Sequence, residues 1–115
     1  MIYRRSDAAS FIKHGVRMWV YSGRQDCSHA ALVYQETDRG HAEEFYHDKS
    51  AFIFYIIEGQ GVWVIEDEEF PVEATDVVIV PPGKRFYYRG ALKQICITAP
   101  AWEEQHEYHV RAVDL

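Results

Sequence analysis

The sequence predicts an all-β domain, a sandwich or a barrel, and two observations carry the prediction. Aromatic residues make up 15% of the 115 residues, and aromatic and β-branched side chains suit the pleated, half-buried surface of a sheet. Short apolar stretches also recur between turn clusters, roughly every 8 to 12 residues, the rhythm of many short strands packed face to face. Helix candidates occur only at the two ends.

The elements follow in chain order. Met1 to Gly15 mixes charged and apolar residues and reads as an edge strand with a short helical turn, capped by Ser6 or Asp7. Val16 to Tyr21 is a strand closed by Ser22-Gly23. Ser28 to Glu36 is another, with Ala30, Leu32 and Tyr34 on one face and His29, Ala31, Val33 and Gln35 on the other. Thr37-Asp38-Arg39-Gly40 is a turn cluster. Strands over Glu43 to His47 and Phe52 to Glu58 flank the polar Asp48-Lys49-Ser50. Gly59-Gln60-Gly61 is expected to reverse the chain into an antiparallel Val62 to Glu66. Phe70-Pro71-Val72 is a short strand that proline confines to an edge. Val77 to Val80 is a continuous apolar run, expected to be buried on both sides. Pro81-Pro82-Gly83 is a hard turn. Phe86 to Tyr88 and Leu92 to Ala99 complete the core, and Trp102 to Val110 reads as a short helix or clip folded back over it.

At this length the chain is one domain, 1–115, with a core over about 16–99 and flanking segments 1–15 and 100–115. No apolar run reaches the roughly 20 residues that a bilayer span needs. Ser10-Phe11-Ile12-Lys13-His14 is no signal-peptide core, so a cytoplasmic location is expected. Cys27 and Cys96 lack metal-site spacing and read as small buried hydrophobes. The net charge of −6 argues against nucleic-acid or anionic-membrane surfaces.

Two stretches make the prediction more specific. The first runs from Gly40 through His47 and Phe52 to Tyr55-Ile56-Ile57-Glu58-Gly59-Gln60-Gly61. The second is Thr75-Asp76-Val77-Val78-Ile79-Val80-Pro81-Pro82-Gly83, continuing to Phe86 and Gly90. Their turns and spacing resemble the paired motifs of the cupin superfamily. That resemblance implies a double-stranded β-helix, a jelly-roll barrel of two antiparallel sheets, and a homodimer, with exposed apolar residues of the first 36 and of the tail as the contact. The resemblance fails at the ligands. The four positions that hold a metal in the family are Phe45, His47, Phe52 and Phe86 here. A transition metal wants about three or four N, O or S ligands, and phenylalanine supplies none. No cofactor is therefore predicted by direct carry-over.

Three readings of the barrel interior follow. The phenylalanines fill it as core, or they line a metal-free pocket, or a metal site is rebuilt from His41, Glu43 and His47, which share strand parity. The pocket expected under the second reading comprises Phe45, His47, Phe52, Phe54, Phe86, Tyr88 and Cys96, with Gln94 as a further polar candidate. Its function would be to bind a small polar or carbohydrate-like metabolite. The alternative is a metal-independent sugar isomerase, epimerase or lyase. In that enzyme His47 would be the acid/base, since histidine suits proton transfer near neutral pH, and Tyr88 its partner. Trp102 is expected to act as a lid or subunit contact, and Lys84 and Arg85 to be a solvated turn or an anion clamp at the mouth.

Overall fold

The computed structural model describes residues 1–115. After a 3-10 turn at Arg5–Asp7 come β1 (Ala9–Lys13), β2 (Val16–Ser22), β3 (Ala31–Thr37), β4 (Glu43–His47), β5 (Ala51–Ile65), β6 (Glu68–Glu73), β7 (Val77–Val80) and β8 (Phe86–Ala99). A second 3-10 turn, Glu104–His106, precedes β9 (Glu107–Ala112). The nine strands form one antiparallel sheet in the order β1-β2-β3-β8-β4-β9, with β5 pairing β6, β7 and β8. No helix is long and apolar enough to cross a membrane.

Two long strands turn this sheet into a barrel. β5 and β8 pair from Ala51–Ala99 to Ile65–Phe86. The Leu92–Thr98 part of β8 also pairs with β3, while Phe86 meets Phe45 of β4. β5 is shared in the same way: Phe52 to Tyr55 pair with β7 and Gln60 to Ile65 with β6. Each long strand thus serves both layers of the double-stranded β-helix. The bend lies at a register shift between Ile56 and Glu58, immediately before Gly59. A Cβ on Gly59 would stand 2.1 Å from the Ala91 carbonyl oxygen.

This corrects the expected turn at Gly59-Gln60-Gly61. The chain does not reverse there, because the glycines let two backbones approach within a continuous bent strand. Gly90 does the same for β8, which is one strand where two were expected. The reading of Val77 to Val80 as doubly buried also fails. Val78 and Val80 are buried, but Val77 and Ile79 are 55% and 58% exposed. β7 pairs only with β5, and nothing covers its outer side. The tail is a strand rather than a helix, since β9 pairs with β4 from Glu43–Ala112 to His47–Glu107. Cys96 is buried as expected; Cys27 is exposed, and both are free thiols.

The interior is a run of touching rings. Phe45 lies 4.6 Å from Phe86 between centroids, Phe52 5.5 Å from Phe86, and Trp63 stacks on Tyr88 at 4.3 Å. Each such ring contributes through its buried area and a smaller edge or stacking term.

One backbone contact links this fold to its interior chemistry. Gly40 has φ +118°, and a Cβ there would sit 2.3 Å from the Tyr88 carbonyl oxygen. That closeness lets the His41 N–H donate to the same carbonyl at 2.8 Å. Gly40→Ala combines backbone strain with a backbone clash. It is expected to lower the unfolding free energy by at least about 2 kcal/mol, measured by urea denaturation. An unchanged denaturation midpoint would refute this account of the Gly40 contact.

Candidate functional site

The barrel encloses a cavity of about 290 Å³. β3 supplies its floor because its odd positions face inward: Ala31, Gln35 and Thr37 are buried and Val33 is half-buried. Phe45 from β4, Phe52 and Phe54 from β5, and Tyr88 and Cys96 from β8 build the aromatic and apolar wall. Phe11 and Lys13 of β1 close the cavity together with Trp102 and Glu107 of the tail. A larger, more open groove of about 520 Å³ lies between Arg17, Asp38, Glu58 and Lys93. It is a charged surface whose Lys93 is already paired with Glu58 at 3.2 Å. The enclosed apolar cavity with a few convergent polar groups is the better candidate site.

His41 is the titratable group best placed in it. It follows Gly40, is 4% exposed, and lines the cavity. Its Nδ1 lies 2.7 Å from the Glu43 carbonyl oxygen. A carbonyl only accepts, so Nδ1 carries the hydrogen and Nε2 is left with its lone pair. Nε2 has no partner within the chain and is not sealed from the cavity. The ring sits among Phe45 at 4.9 Å, His14 at 5.2 Å and Tyr88 at 5.5 Å. Burial in these surroundings pushes the imidazole down to about 4 from its ordinary 6.5, with the nearby His14 acting in the same direction.

The other polar groups are held in place by partners. The Tyr88 hydroxyl donates to Gln35 Oε1 at 2.9 Å, and Gln94 Nε2 donates to the same oxygen at 2.8 Å. Burial raises the Tyr88 phenol well above its usual value, so it stays protonated. Burial likewise pushes the Cys96 thiol up, which keeps it neutral. The Glu43 carboxylate receives His14 Nε2 at 3.2 Å and His109 Nδ1 at 2.6 Å. At the mouth, Lys13 Nζ meets Glu107 Oε2 at 3.3 Å, and Trp102 donates its indole N–H to Glu107 Oε1 at 2.9 Å.

Of the pocket residues expected from the sequence, Phe45, Phe52, Phe54, Tyr88 and Cys96 line the cavity. Phe86 packs behind them in the core. His47 is outside the lining. Its Nδ1 accepts from the Ser50 and Lys49 N–H groups at 2.9 and 3.3 Å, and its Nε2 donates to the Glu103 carbonyl at 3.0 Å. Both ring nitrogens are thus committed to anchoring the loop after β4 and the tail. The rebuilt metal site is not formed either: the Glu43 carboxylate and both His47 nitrogens are engaged by other groups, which leaves only His41 Nε2 uncommitted, and no group of three or more His, Cys, Asp or Glu side chains is placed to hold an ion. With Phe45, Phe52 and Phe86 at the other family positions, the residues present do not fit the family's metal. Arg85 is neither free nor an anion clamp; it pairs with Glu44, Glu66 and Asp67. Sequence reasoning missed Gln35, Lys13 and Glu107. Strand parity had set Gln35 beside Ala31 and Val33, and that was the available signal.

The cupin domain model matches residues 33–98. The chain is similar to Pac13, described as a nucleoside dehydratase, at 36% identity and a TM-score of 0.95, covering 99% of this chain and 93% of that one. A His-to-Gln variant of Streptomyces PAC13 with uridine matches at 35% identity and a TM-score of 0.94, covering 98% of this chain and 92% of that one. Tyr-to-Phe variants with uridine match equally well. KdgF from Halomonas sp. shares the fold at 14% identity and a TM-score of 0.76, covering 91% of this chain and 97% of that one. No curated protein matches.

The desolvation of His41 has a measurable consequence. The unfolded chain takes up its proton near 6.5 and the folded chain only near 4, so acidification between these values favours unfolding. Between pH 7 and pH 4 the wild type is expected to lose on the order of 3 kcal/mol more stability than His41→Gln. Urea denaturation of both proteins at both pH values checks this; equal losses would mean that the imidazole is not desolvated.

Proposed function

The chain belongs to the cupin family, and from that premise we propose that it binds a nucleoside-like molecule in the barrel cavity and eliminates water from it, with His41 carrying the proton. The observation behind this reading is the His41 ring itself: buried, neutral, tautomerically fixed by the Glu43 carbonyl, and presenting Nε2 to an aromatic cavity beside Tyr88. The likeness to a nucleoside dehydratase over nearly the whole chain supports it. So does the kind of residue altered in the uridine-bound variants of that protein, one histidine and two tyrosines. The lining of this cavity holds one histidine, His41, and one tyrosine, Tyr88.

The chemistry is that of a single proton carrier. Tyr88 and Cys96 are held neutral by burial, Glu43 is engaged by two histidines, and Glu107 is engaged by Lys13 and the Trp102 indole. His41 Nε2 therefore takes the proton from carbon, the adjacent C–O bond breaks, and the same imidazole, now protonated, returns the proton to the departing hydroxyl as water. A weakly basic imidazole removes a proton only from carbon already acidified by a neighbouring carbonyl, so the substrate carries such a group. Tyr88 orients the oxygen side of the molecule, and Phe45, Phe52 and Phe54 offer ring faces to the planar base. No metal enters this scheme, since the family ligand positions do not fit one. The acid/base role expected of His47 passes to His41, because the ring nitrogens of His47 are already bonded.

A homodimer belongs to the same reading. Exposed apolar residues occur in the first segment, as at Phe11 and Ile12, and in the tail, as at Tyr108 and Val110. A further apolar patch on β5 and β7, comprising Tyr55, Ile57, Val77 and Ile79, is 43 to 58% exposed. Ile79→Lys is expected to shift the protein from dimer to monomer in sedimentation velocity; a wild type that is already monomeric would refute the pairing.

Calorimetric titration with uridine tests the ligand class. Wild type is expected to bind it. His41→Gln is expected to retain uridine within about tenfold, since Gln replaces the ring but not the cavity, while dehydration of a carbonyl-activated uridine falls by about 10²-fold or more. Absence of uridine binding by the wild type would overturn the nucleoside assignment, and full turnover by His41→Gln would overturn the role of His41.

A further inference from the structure

Resting on the nucleoside reading, the geometry points to Gln35 as the residue that reads one hydroxyl of the ligand: its Nε2 donates to that hydroxyl, and the Tyr88 oxygen beside it accepts the hydroxyl proton. Gln35 is 6% exposed and belongs to the cavity lining. Its Oε1 has both lone pairs occupied, one by the Tyr88 hydroxyl and one by Gln94 Nε2. Its Nε2 carries two N–H donors, has no acceptor in the chain, and is not sealed from the cavity. On β3 the neighbouring inward positions are Ala31 and Val33, so an apolar side chain would have completed the wall.

The two interactions are coupled. Because the Tyr88 proton is directed to Gln35, a lone pair of the phenol oxygen is available to the cavity. The phenol oxygen and Nε2 both adjoin Gln35 Oε1, which places them close enough to flank a single ligand oxygen. One group donates and the other accepts. A hydroxyl satisfies both; a carbonyl satisfies only the donor, and an ammonium only the acceptor. Gln35 is thus a specificity residue towards the ligand and a positioning residue towards Tyr88. A glutamate there would hold Tyr88 but offer no donor at neutral pH, and a leucine would do neither.

Uridine and its 2′-, 3′- and 5′-deoxy analogues test this in a binding cycle against wild type, Gln35→Leu and Gln35→Glu. Wild type is expected to bind one analogue about tenfold more weakly than uridine. Both variants lose about tenfold towards uridine and no longer discriminate against that analogue, while discrimination at the other two positions is unchanged. Retained discrimination at all three positions in both variants would overturn the proposal. A second measurement decides it independently of the ligand and without a variant. In the ligand-free wild type, proton NMR is expected to show a slowly exchanging Tyr88 hydroxyl and a Gln35 side-chain amide in ready exchange with water. A protected Gln35 amide with a fast-exchanging hydroxyl would overturn it. If wild type fails to bind uridine, the nucleoside reading falls, and Gln35 stands or falls on this second result.

Discussion

Close backbone approach at glycine is the constraint on which the rest of the structure depends. β5 and β8 remain paired from end to end while passing from one layer of the sheet to the other. They can do so because Gly59 and Gly90 occupy positions where a Cβ would overlap the opposing backbone. The same device at Gly40 sets the start of β4 against Tyr88. His41 is therefore located by main-chain geometry more than by its own packing. Its ring reaches the cavity because the backbone before it has no side chain.

Once placed, His41 is tuned by what surrounds it. Aromatic rings remove water and push the imidazole towards its neutral form. The Glu43 carbonyl accepts the Nδ1 hydrogen and so fixes which nitrogen is basic. The carboxylate of that same residue is turned away to His14 and His109. Had it faced the ring instead, it would have favoured the imidazolium and raised the proton affinity. Glu43 thus contributes through its main chain to the tautomer, while its charge is spent on joining the β1–β2 turn, β4 and β9.

The fold was largely legible in the sequence because strand alternation and turn chemistry are local. The inward face of Ala31, Val33 and Gln35, the strand at Glu43 to His47 and the edge character of Phe70-Pro71-Val72 all follow from neighbours in the chain. What was not legible depends on partners far away in sequence. Gly59-Gln60-Gly61 has the composition of a turn, and only its pairing with Ala91 and Leu92 shows it to be a kink. Val77 and Ile79 look like core until β7 proves to be an edge with an uncovered face. His47 stands at a ligand position of the family motif, yet its use is decided by the Glu103 carbonyl, 56 residues away. His41 shares strand parity with Phe45, which was visible; that it would face the cavity without a competing partner was not.

The distribution of polar groups bears on how an apolar barrel would carry the proposed proton chemistry. With phenylalanine at three family ligand positions, the His41 ring is buried among apolar groups, and that burial depresses its proton affinity. A metal site would require several inward ligands, and each would hydrate the cavity and shield the imidazole. Phe45, Phe52 and Phe86 in their place supply no ligand atom and surround His41 with apolar rings, the environment that the proposed single-histidine chemistry requires. The one carboxylate inside, that of Glu43, is held by His14 and His109, and the polar groups beside it, the Tyr88 phenol and the Gln35 amide, are neutral. Neutral groups can orient an oxygen without shifting His41 towards its charged form, and a carboxylate in their place could not. The mouth is where charge is kept, in the Lys13–Glu107 pair, at the rim where water screens it. On the proposed function, the substitution pattern that leaves the family's metal positions without ligands is the same one that gives the lone, weakly basic imidazole its surroundings.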